Sequence, residues 1–452
     1  MATRWSNFHC RNSLIDHGLK ALREAAIEIL ESYIRAADPY PRTLDIFRRN
    51  GSQLLVGDLK FELDAWNHIF IVGAGKATQS VALAVEEVLG YRIADGIIIL
   101  KRGEPHYLEL IRIIEAAHPV PDQASWDGAK EVVRISEQAT RNDLVITAFT
   151  GGSSALMVWP SEGISLEDKQ VLNNLLLGCG ASIQEINAVR KHLSLVKGGR
   201  LGLKIFPAEL INLTVSDVIG DNLDCITDLT VPDTSTYKDA WATLDKYFLW
   251  KDIPASIREH LKRGPEIETP KFYFHPYYSF ITVTSKIACL AAATRCRELG
   301  FETHILTNSM EGESRIAALG FIQTVRKIIK TSLPNKRFAF LSSGETTVTL
   351  NEAHGEGGRN QEFALSVAFH ITDLNRVVVA SLATDGTDGP TDACGGLVDN
   401  ETIERAINAG IDTEEALSRH NSKKVLSATG DLLVSGPTGT NVNDVALVLI
   451  ET

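Results

Sequence analysis

Three glycine-rich loops, each following a short apolar run, lie within residues 341–396 and constrain the fold of this chain most strongly. The three segments read LSSGETTVTL, GEGGRNQEFALSVAF and VVVASLATDGTDGPTDACGG. An apolar run that ends in Gly and polar residues is typical of a buried strand followed by a binding loop. Because ligands of open α/β sheets bind beyond the carboxyl ends of strands, three such loops within one strand–helix–strand unit predict a site there.

The polar residues of these loops suit an anionic, metal-bound ligand. Arg359 follows Gly357 and Gly358 at the start of a predicted helix, where backbone N–H groups and a guanidinium favour a phosphate or carboxylate. Asp385, Asp388 and Asp392 follow the next strand and offer the oxygen ligands that Mg²⁺ prefers. The alternative is that the glycines serve solvated turns and the acids cap helices. We favour the binding site because the three loops occur together.

Length and composition define the class of protein. A chain of 452 residues exceeds what one hydrophobic core covers, so two or more domains are expected. A net charge of -12 without a long basic run argues against a nucleic-acid partner. Six scattered cysteines without a CxxC pair, and no apolar run of membrane-spanning length, predict a cytoplasmic protein without membrane segments. The basic segment 1–13 is expected to be a frayed terminus rather than a targeting signal.

A strand predicted at residues 68–72 ends in the turn GAGK, and a helix follows. The turn matches neither common nucleotide fingerprint: Thr78 replaces the third Gly of GxGxxG, and Ala77 stands where a P-loop has Ser or Thr. Lys76 lies in the first helical turn, where a cation opposes the helix dipole. A bound anion therefore explains Lys76 better than helix stability does.

Two more strands of the first half end in polar loops. The strand 144–149 precedes TGGSS, and the strand 210–215 precedes Ser216 and Asp217. Between them, the segment 186–200, INAVRKHLSLVKGGR, concentrates positive charge. A charge run is usually a solvated helix face, but cations and acids at neighbouring strand ends predict a phosphate and metal site.

Strands and helices alternate in both halves of the chain, which predicts an α/β protein of two domains, each a largely parallel sheet flanked by helices. We place the first domain at residues 1–239, a helical connector at 240–275 and the second domain at 276–452.

The chain resembles the class II glycerate 2-kinases with a C-terminal MOFRL domain, a family some of whose members are described as hydroxypyruvate reductases. Eight motifs carry the resemblance, in order between residues 72 and 444: VGAGKA, HPVPD, INAVRKHLSLVKGGRLG, SDVIGD, SSGETTV, GEGGRNQE, ATDGTDGPTDACGG and GPTGTNVND. They span nearly the whole chain. The resemblance implies a Rossmann-like N-terminal domain and a MOFRL domain around a central cleft.

The same resemblance implies phosphorylation of D-glycerate by ATP and Mg²⁺, giving 2-phosphoglycerate, with Lys76 and Arg359 as the catalytic pair. We take Asp217, Glu345 and Asp385 as the metal ligands. A homodimer is compatible with the sequence. Further residues expected to bind substrate or nucleotide belong to the same loops: Gly73, Gly75, Gly151, Gly152, Ser153, Ser154, Arg190, Lys197, Ser216, Gly344, Gly357, Gly358, Asn360, Asn441 and Asn443.

Two alternatives stand beside this hypothesis. An NAD(P)-dependent hydroxypyruvate reductase is disfavoured by Thr78 in the place of the third Gly. A family member with impaired activity or a different substrate is suggested by two departures from the family pattern. TGGSSAL, with Ser153, replaces SGGGSAL, and ITDLTVPD, from Ile226 to Asp233, replaces the expected ASGPTVPD.

Overall fold

A computed structural model describes residues 8–9, 11–350 and 354–452. The chain forms two compact units. The central unit contains residues 39–282, and the terminal unit combines residues up to 38 with residues 283–452. The predicted division at residues 239 and 275 differs from this one at both places. The targeting segment considered for residues 1–13 lies largely outside the described residues.

Two helices of the N-terminal segment, α1 (Arg11–Ile15) and α2 (Lys20–Ala36), belong to the terminal unit. The predicted first domain, residues 1–239, includes α2, whereas the structure places α2 in the terminal unit. The apolar periodicity of α2 shows that one face is buried, without showing which sheet covers that face. Arg23 of α2 is fully buried and donates to Asp399 (2.7 Å) and Asp431 (2.7 Å), two acids of the terminal unit.

The central unit has two sheets. Strands β1 to β3 form an antiparallel meander, and a six-stranded sheet has the order β6-β5-β4-β7-β8-β9. Within it, β4, β5, β6, β7 and β8 pair in parallel, as predicted. The strands are β1 Phe47–Asn50, β2 Gln53–Val56, β3 Leu59–Glu62, β4 Ile69–Ala74, β5 Ile93–Lys101, β6 Arg112–Ala116, β7 Leu144–Phe149, β8 Glu209–Val215 and β9 Tyr277–Val283.

Ten α-helices accompany these sheets among the described residues. They are α3 Pro39–Ile46, α4 Thr78–Leu89, α5 Gln123–Gln138, α6 Ser153–Leu156, α7 Leu166–Gly178, α8 Ile183–His192, α9 Arg200–Ile205, α10 Leu223–Ile226, α11 Tyr237–Lys246 and α12 Ala255–Lys262. Helices α7, α8, α11 and α12 share one apolar cluster, with Ile186, Leu244 and Leu261 buried in it. Residues 240–275 are therefore part of the central unit's core, where we had predicted a connector.

The terminal unit has one six-stranded sheet of order β10-β11-β15-β12-β13-β14. Its strands are β10 Glu302–Met310, β11 Arg337–Gly344, β12 Val377–Ala383, β13 Gly395–Asp399, β14 Leu432–Leu433 and β15 Asp444–Glu451. Its remaining helices are α13 Ser285–Glu298, α14 Ser314–Lys330, α15 Arg359–Phe369, α16 Thr402–Asn408, α17 Thr413–Ser418 and α18 Ser422–Thr429. Helix α2 packs against α13.

This second sheet is mixed, so the prediction of a largely parallel sheet is wrong for the terminal unit. Strands β10 and β11 are parallel, whereas the other four neighbouring pairs are antiparallel. Two features of the chain explain the difference. No helix crosses between β12 and β13, and a parallel pair needs such a crossover. The last strand, β15, inserts between β11 and β12 in the opposite direction.

Among the described residues, none of the helices combines the length and the apolar character that a membrane span requires.

Candidate active site

The turn after β4 is fastened to the loop after β7, because these parallel neighbours end at the same edge of the sheet. The amide of Lys76 donates to the carbonyl of Gly151 (2.9 Å), and the amide of Ala77 donates to Thr150 Oγ1 (3.1 Å). Gly75 has φ 136°, and a Cβ there would lie 2.2 Å from Thr150 Oγ1. Only Gly allows the two loops to approach so closely.

A cavity of about 330 Å³ opens beside this loop pair. Gly152 and Ser154 line it together with residues of α7, α8 and the His118–Pro121 turn. Three cationic side chains face it: Lys169 from α7, Arg190 from α8 and Lys197. The structure therefore brings together the predicted residues Gly152, Ser154, Arg190 and Lys197, which are separated by up to 45 positions in the sequence.

Each predicted cation of this cavity is held by a polar partner. Lys197 Nζ donates to Ser154 Oγ (2.9 Å) and forms an ion pair with Asp228 Oδ2 (3.1 Å). Arg190 Nε donates to Asn173 Oδ1 (2.6 Å). Burial lowers the pKa of Lys197, although the charge of Asp228 opposes the effect. Burial also lowers the pKa of Arg190.

Sequence reasoning missed Lys169 and the ionic role of Asp228. The signal for Lys169 was present, because Leu166, Leu172 and Leu176 share its helix face at spacings of three or four and are buried. A lysine on the buried face of a helix needs an explanation of its own. Asp228 belongs to the ITDLTVPD segment, which departs from the family pattern. Comparison of motifs identifies this departure, but it does not show that Asp228 pairs with Lys197.

The rest of the basic segment 186–200 has a structural role. Lys191 is buried and forms ion pairs with Asp224 and with Asp233 (3.0 Å). Arg200 Nη1 donates to the carbonyl of Lys191 (2.9 Å). Adjacent cations of this segment thus have different environments: Arg190 faces the cavity, whereas Lys191 is buried in the interior of the unit. At the end of β8, Ser216 is buried and Asp217 is half-buried.

In the terminal unit, Arg359 begins α15, as predicted, and two carboxylates hold its guanidinium. Its Nε and Nη2 donate to the two oxygens of Asp444, at 2.5 and 2.8 Å, and Nη2 also lies 3.2 Å from Glu345 Oε1. Burial lowers the pKa of Arg359, but the hydrogen bonds and charge of Asp444 outweigh it, so the pKa is raised. Burial raises the pKa of Asp444 to about 6, against the influence of Arg359.

The glycines before Arg359 and the acid Asp388 are explained by packing rather than by a ligand. Asp388 is buried and accepts from the amides of Asn360 (3.1 Å) and Gln361 (2.8 Å), which makes it the cap of α15. A Cβ on Gly358 would lie 2.3 Å from Asp388 Cγ, and one on Gly357 would lie 2.3 Å from Ser422 Oγ. These glycines therefore permit close packing against other parts of the protein.

Other predicted residues of the terminal unit lie at the same end of its sheet. Asn360 is buried; its side-chain amide donates to Asp388, and its Oδ1 accepts from Ser381. Because the side chain is not exposed, the structure does not support the prediction that Asn360 contacts a ligand. Asp385 is half-buried and accepts from the amide of Thr387 (3.0 Å). Asn443 is buried with φ 64°, and no described group donates to its Oδ1.

Glycines of both units set the spacing between neighbouring segments. A Cβ on Gly73 would lie 2.5 Å from the carbonyl of Ala148, and one on Gly344, with φ 150°, would lie 2.2 Å from the carbonyl of Met310. These predicted residues therefore permit close backbone packing at the strand ends. Ser153, the residue of the TGGSS departure, is buried at the start of α6.

The carboxylates predicted to bind metal do not form a ready-made cage. Within the described ranges, no group of three or more His, Cys, Asp or Glu side chains is arranged to hold a metal ion. Asp217 belongs to the central unit, and Glu345 and Asp385 belong to the terminal unit.

Comparison with known proteins gives the family. Residues 25–262 match the family described as a domain of unknown function (DUF4147), and residues 338–444 match the MOFRL family. A protein named glycerate 2-kinase from Pyrococcus horikoshii is 41% identical over 434 residues, which cover 95% of this chain and 97% of that protein. This chain belongs to the MOFRL-type glycerate kinase family.

Solved structures agree with this placement. A crystal structure of a glycerate kinase from Thermotoga maritima matches with a TM-score of 0.80 and 36% identity, covering 95% of this chain and 100% of that one. A relative from Agrobacterium vitis, 38% identical over 84% of this chain and 86% of its own length, is named provisionally as a hydroxypyruvate reductase. The resemblance drawn from the sequence motifs is confirmed, and so is the two-domain α/β fold.

Proposed function

We propose that this protein phosphorylates D-glycerate with ATP to give 2-phosphoglycerate and ADP. The observation that carries the proposal is identity at 41%, over 95% of the chain, to a protein named glycerate 2-kinase. The sites of both units suit that reaction, since each presents a cation at a strand end: Lys76 after β4, and Arg359 near the ends of β11 and β15.

Lys76 and Arg359 are proposed to stabilise the charge of the transferring phosphoryl group. Phosphoryl transfer requires positioning and electrostatic stabilisation more than covalent chemistry. A preorganised donor of this kind contributes about 3 kcal/mol to transition-state stabilisation. Asp444 and Glu345 fix the direction of the Arg359 guanidinium, which makes them positioning residues in this scheme.

Mg²⁺ is proposed to accompany ATP. This ion keeps several waters and is bound through one or two carboxylates and the substrate's phosphates, so a kinase needs no dedicated protein cage for it. The carboxylates of Asp217, Glu345 and Asp385 have the donor chemistry that the ion prefers, and none of the three is fully buried. Bound there, Mg²⁺ would neutralise phosphate charge.

The remaining proposals concern the setting of the enzyme. Its partners are small molecules, D-glycerate and ATP. The free thiols of Cys179, Cys225, Cys289, Cys296 and Cys394 are in keeping with a cytoplasmic location. A homodimer is proposed as well, and light scattering on the purified protein would distinguish it from a monomer.

Two assays on the same preparation test the activity. The first follows ADP release from ATP, Mg²⁺ and D-glycerate, and the second follows NAD(P)H consumption with hydroxypyruvate. Glycerate-dependent ADP release without NAD(P)H consumption is expected. NAD(P)H consumption without ADP release would instead establish the reductase named for the Agrobacterium vitis relative.

A further inference from the structure

The cavity of the central unit carries more positive charge than the protein neutralises. Lys169, Arg190 and Lys197 all face it, and Asp228 is the acid paired with Lys197. Within the described part of the chain, Lys169 has no hydrogen-bonding or ion-pair partner for its ammonium group. Asp228 compensates one of these three cations, so up to two positive charges remain when Lys169 is protonated, which is expensive in a half-buried site unless an anion binds there.

The cavity also touches the turn proposed to act on the phosphoryl group. Gly152 lines the cavity, and a Cβ on Gly152 would lie 3.4 Å from Lys76 Cγ and 3.2 Å from His118 Nε2. A ligand in the cavity therefore lies beside the side chain of Lys76.

We propose that the cavity binds the carboxylate of the acid that is phosphorylated, and that Lys169 is the residue that selects a charged acceptor. The inference rests on the proposed kinase activity. With its carboxylate among Lys169, Arg190 and Lys197, the acid directs its hydroxyl groups toward Lys76.

The size and lining of the cavity favour the acid over the nucleotide. A volume of about 330 Å³ is at the low end for ligand pockets, which suits a small molecule. The described lining contains no Phe, Tyr or Trp on which an adenine ring could stack. Its apolar wall instead consists of small and medium side chains, including Val120, Ala155 and Leu172.

The titration of Lys169 gives a second readout. Burial, followed by the positive charges of Lys197 and Arg190, lowers its pKa to about 7, and Asp228 opposes them. His118 lines the same cavity. A bound carboxylate favours the protonated amine and so raises its pKa. Above pH 7 the anion must bind together with a proton, so its affinity should fall by up to about tenfold per pH unit.

The test compares the wild type with Lys169→Gln and Lys130→Gln in steady-state kinetics at pH 7 and pH 8.5. Lys130 is an exposed lysine of the same unit, paired with Asp127 on the surface, and serves as the matched control. Lys169→Gln should raise KM for D-glycerate by about 10- to 100-fold, the loss of one charge-assisted hydrogen bond, while KM for ATP stays unchanged. In the wild type, KM for D-glycerate should rise between pH 7 and pH 8.5. In Lys169→Gln this rise should be absent.

The outcomes separate this inference from the proposed function. An active wild type with an unchanged KM for D-glycerate in Lys169→Gln would overturn the carboxylate site and leave the kinase intact. A raised KM for ATP alone would assign the cavity to nucleotide phosphates and also overturn it. A wild type inactive toward D-glycerate would contradict the kinase proposal itself. If Lys169→Gln is unstable, Lys169→Arg, which retains a cation without titrating near pH 7, should still abolish the pH dependence of KM.

Discussion

Arg359 and Asp444 form a two-pronged ion pair in the terminal unit, with Nε–Oδ2 and Nη2–Oδ1 distances of 2.5 and 2.8 Å. The pair joins the first residue of α15 to the first residue of β15. Parallel N–H···O bonds of this kind fix the plane of a guanidinium as well as its position. Asp444 therefore determines where the Arg359 cation points.

Replacing Asp444 by Asn should misplace Arg359 without removing it. We expect kcat to fall about 100-fold, the loss typical of a displaced catalytic group. The measurement is kcat for ADP release at saturating substrates. Asp373→Asn, which alters an exposed carboxylate paired with Arg326 in the same unit, is the control and should keep wild-type kcat. Equal kcat values for the two variants would contradict the positioning role.

Replacing Arg359 itself by Ala should abolish most turnover, by roughly 100-fold or more, if its charge acts in the transition state. Lys76→Ala should behave similarly, and Lys76→Arg should not restore activity, because a planar fork does not replace a point charge in a tight turn. Kinetics and thermal melting distinguish the roles. A lowered melting temperature with unchanged specific activity would reduce Arg359 to a structural residue.

The pH profile of kcat should report the Arg359–Asp444 pair. The pKa of Asp444 is raised to about 6, so the carboxylate is charged at pH 7.5 and protonated at pH 5. We expect kcat to decrease about tenfold per pH unit below pH 6. A profile that stays flat down to pH 5 would show that the charged pair is not required.

Stability should move in the opposite direction over the same window. A carboxyl whose folded pKa lies above its unfolded value lowers the stability of the fold when it is ionised. For Asp444 this cost is full above pH 6 and declines as pH falls from 6 toward the unfolded pKa of about 3.9. Asp388, whose pKa burial also raises to about 6, contributes with the same sign. Chemical denaturation at pH 7.5 and 5.5 should therefore show no loss of unfolding free energy from these groups while kcat falls.

The ITDLTVPD segment should prove to be a structural element that also carries a cavity charge. Leu229 is fully buried in the main core of the central unit, and its carbonyl accepts from the amide of Gly202 (3.2 Å). Leu229→Ala should lower the unfolding free energy by about 2–5 kcal/mol. Val120, an exposed residue that lines the cavity, offers a control in which Val120→Ala should cost little stability.

The hypothesis that this departure changes the substrate stays a prediction. Inserting Ser-Gly-Pro in place of Asp228 and Leu229 would remove both the partner of Lys197 and a core side chain. Tighter binding of glycerate is therefore not the expected result of that exchange. A loss of stability is expected instead, visible as a lower melting temperature.

The sequence indicated the strand-end loops well because short-range chemistry determines them. Apolar runs ending in GAGK, TGGSS and SSGE predict strands followed by loops, and the structure has β4, β7 and β11 there. Arg359 at the start of α15 was predictable for the same reason. Local pattern contains the periodicity and the turn residues on which these assignments depend.

What could not be predicted depends on contacts between distant parts of the chain. Helix α2 belongs to the terminal unit because Arg23 bonds to Asp399 and Asp431, which lie 376 and 408 positions away in the sequence. Strand β15 lies antiparallel between β11 and β12. The periodicity of a sequence predicts that a segment is a strand, but it does not predict the position of that strand in the sheet. The cap role of Asp388 needs the position of α15, so the acid looked equally suited to a metal.

The central claim, phosphorylation of D-glycerate at its 2-hydroxyl, is tested most directly by ³¹P NMR of the reaction mixture. The protein is incubated with ATP, Mg²⁺ and D-glycerate, and the spectrum is compared with authentic 2- and 3-phosphoglycerate. We predict growth of the ADP and 2-phosphoglycerate resonances at equal rates, dependent on added glycerate. Resonances of ATP that persist unchanged, or ADP that appears with inorganic phosphate alone, would contradict the account.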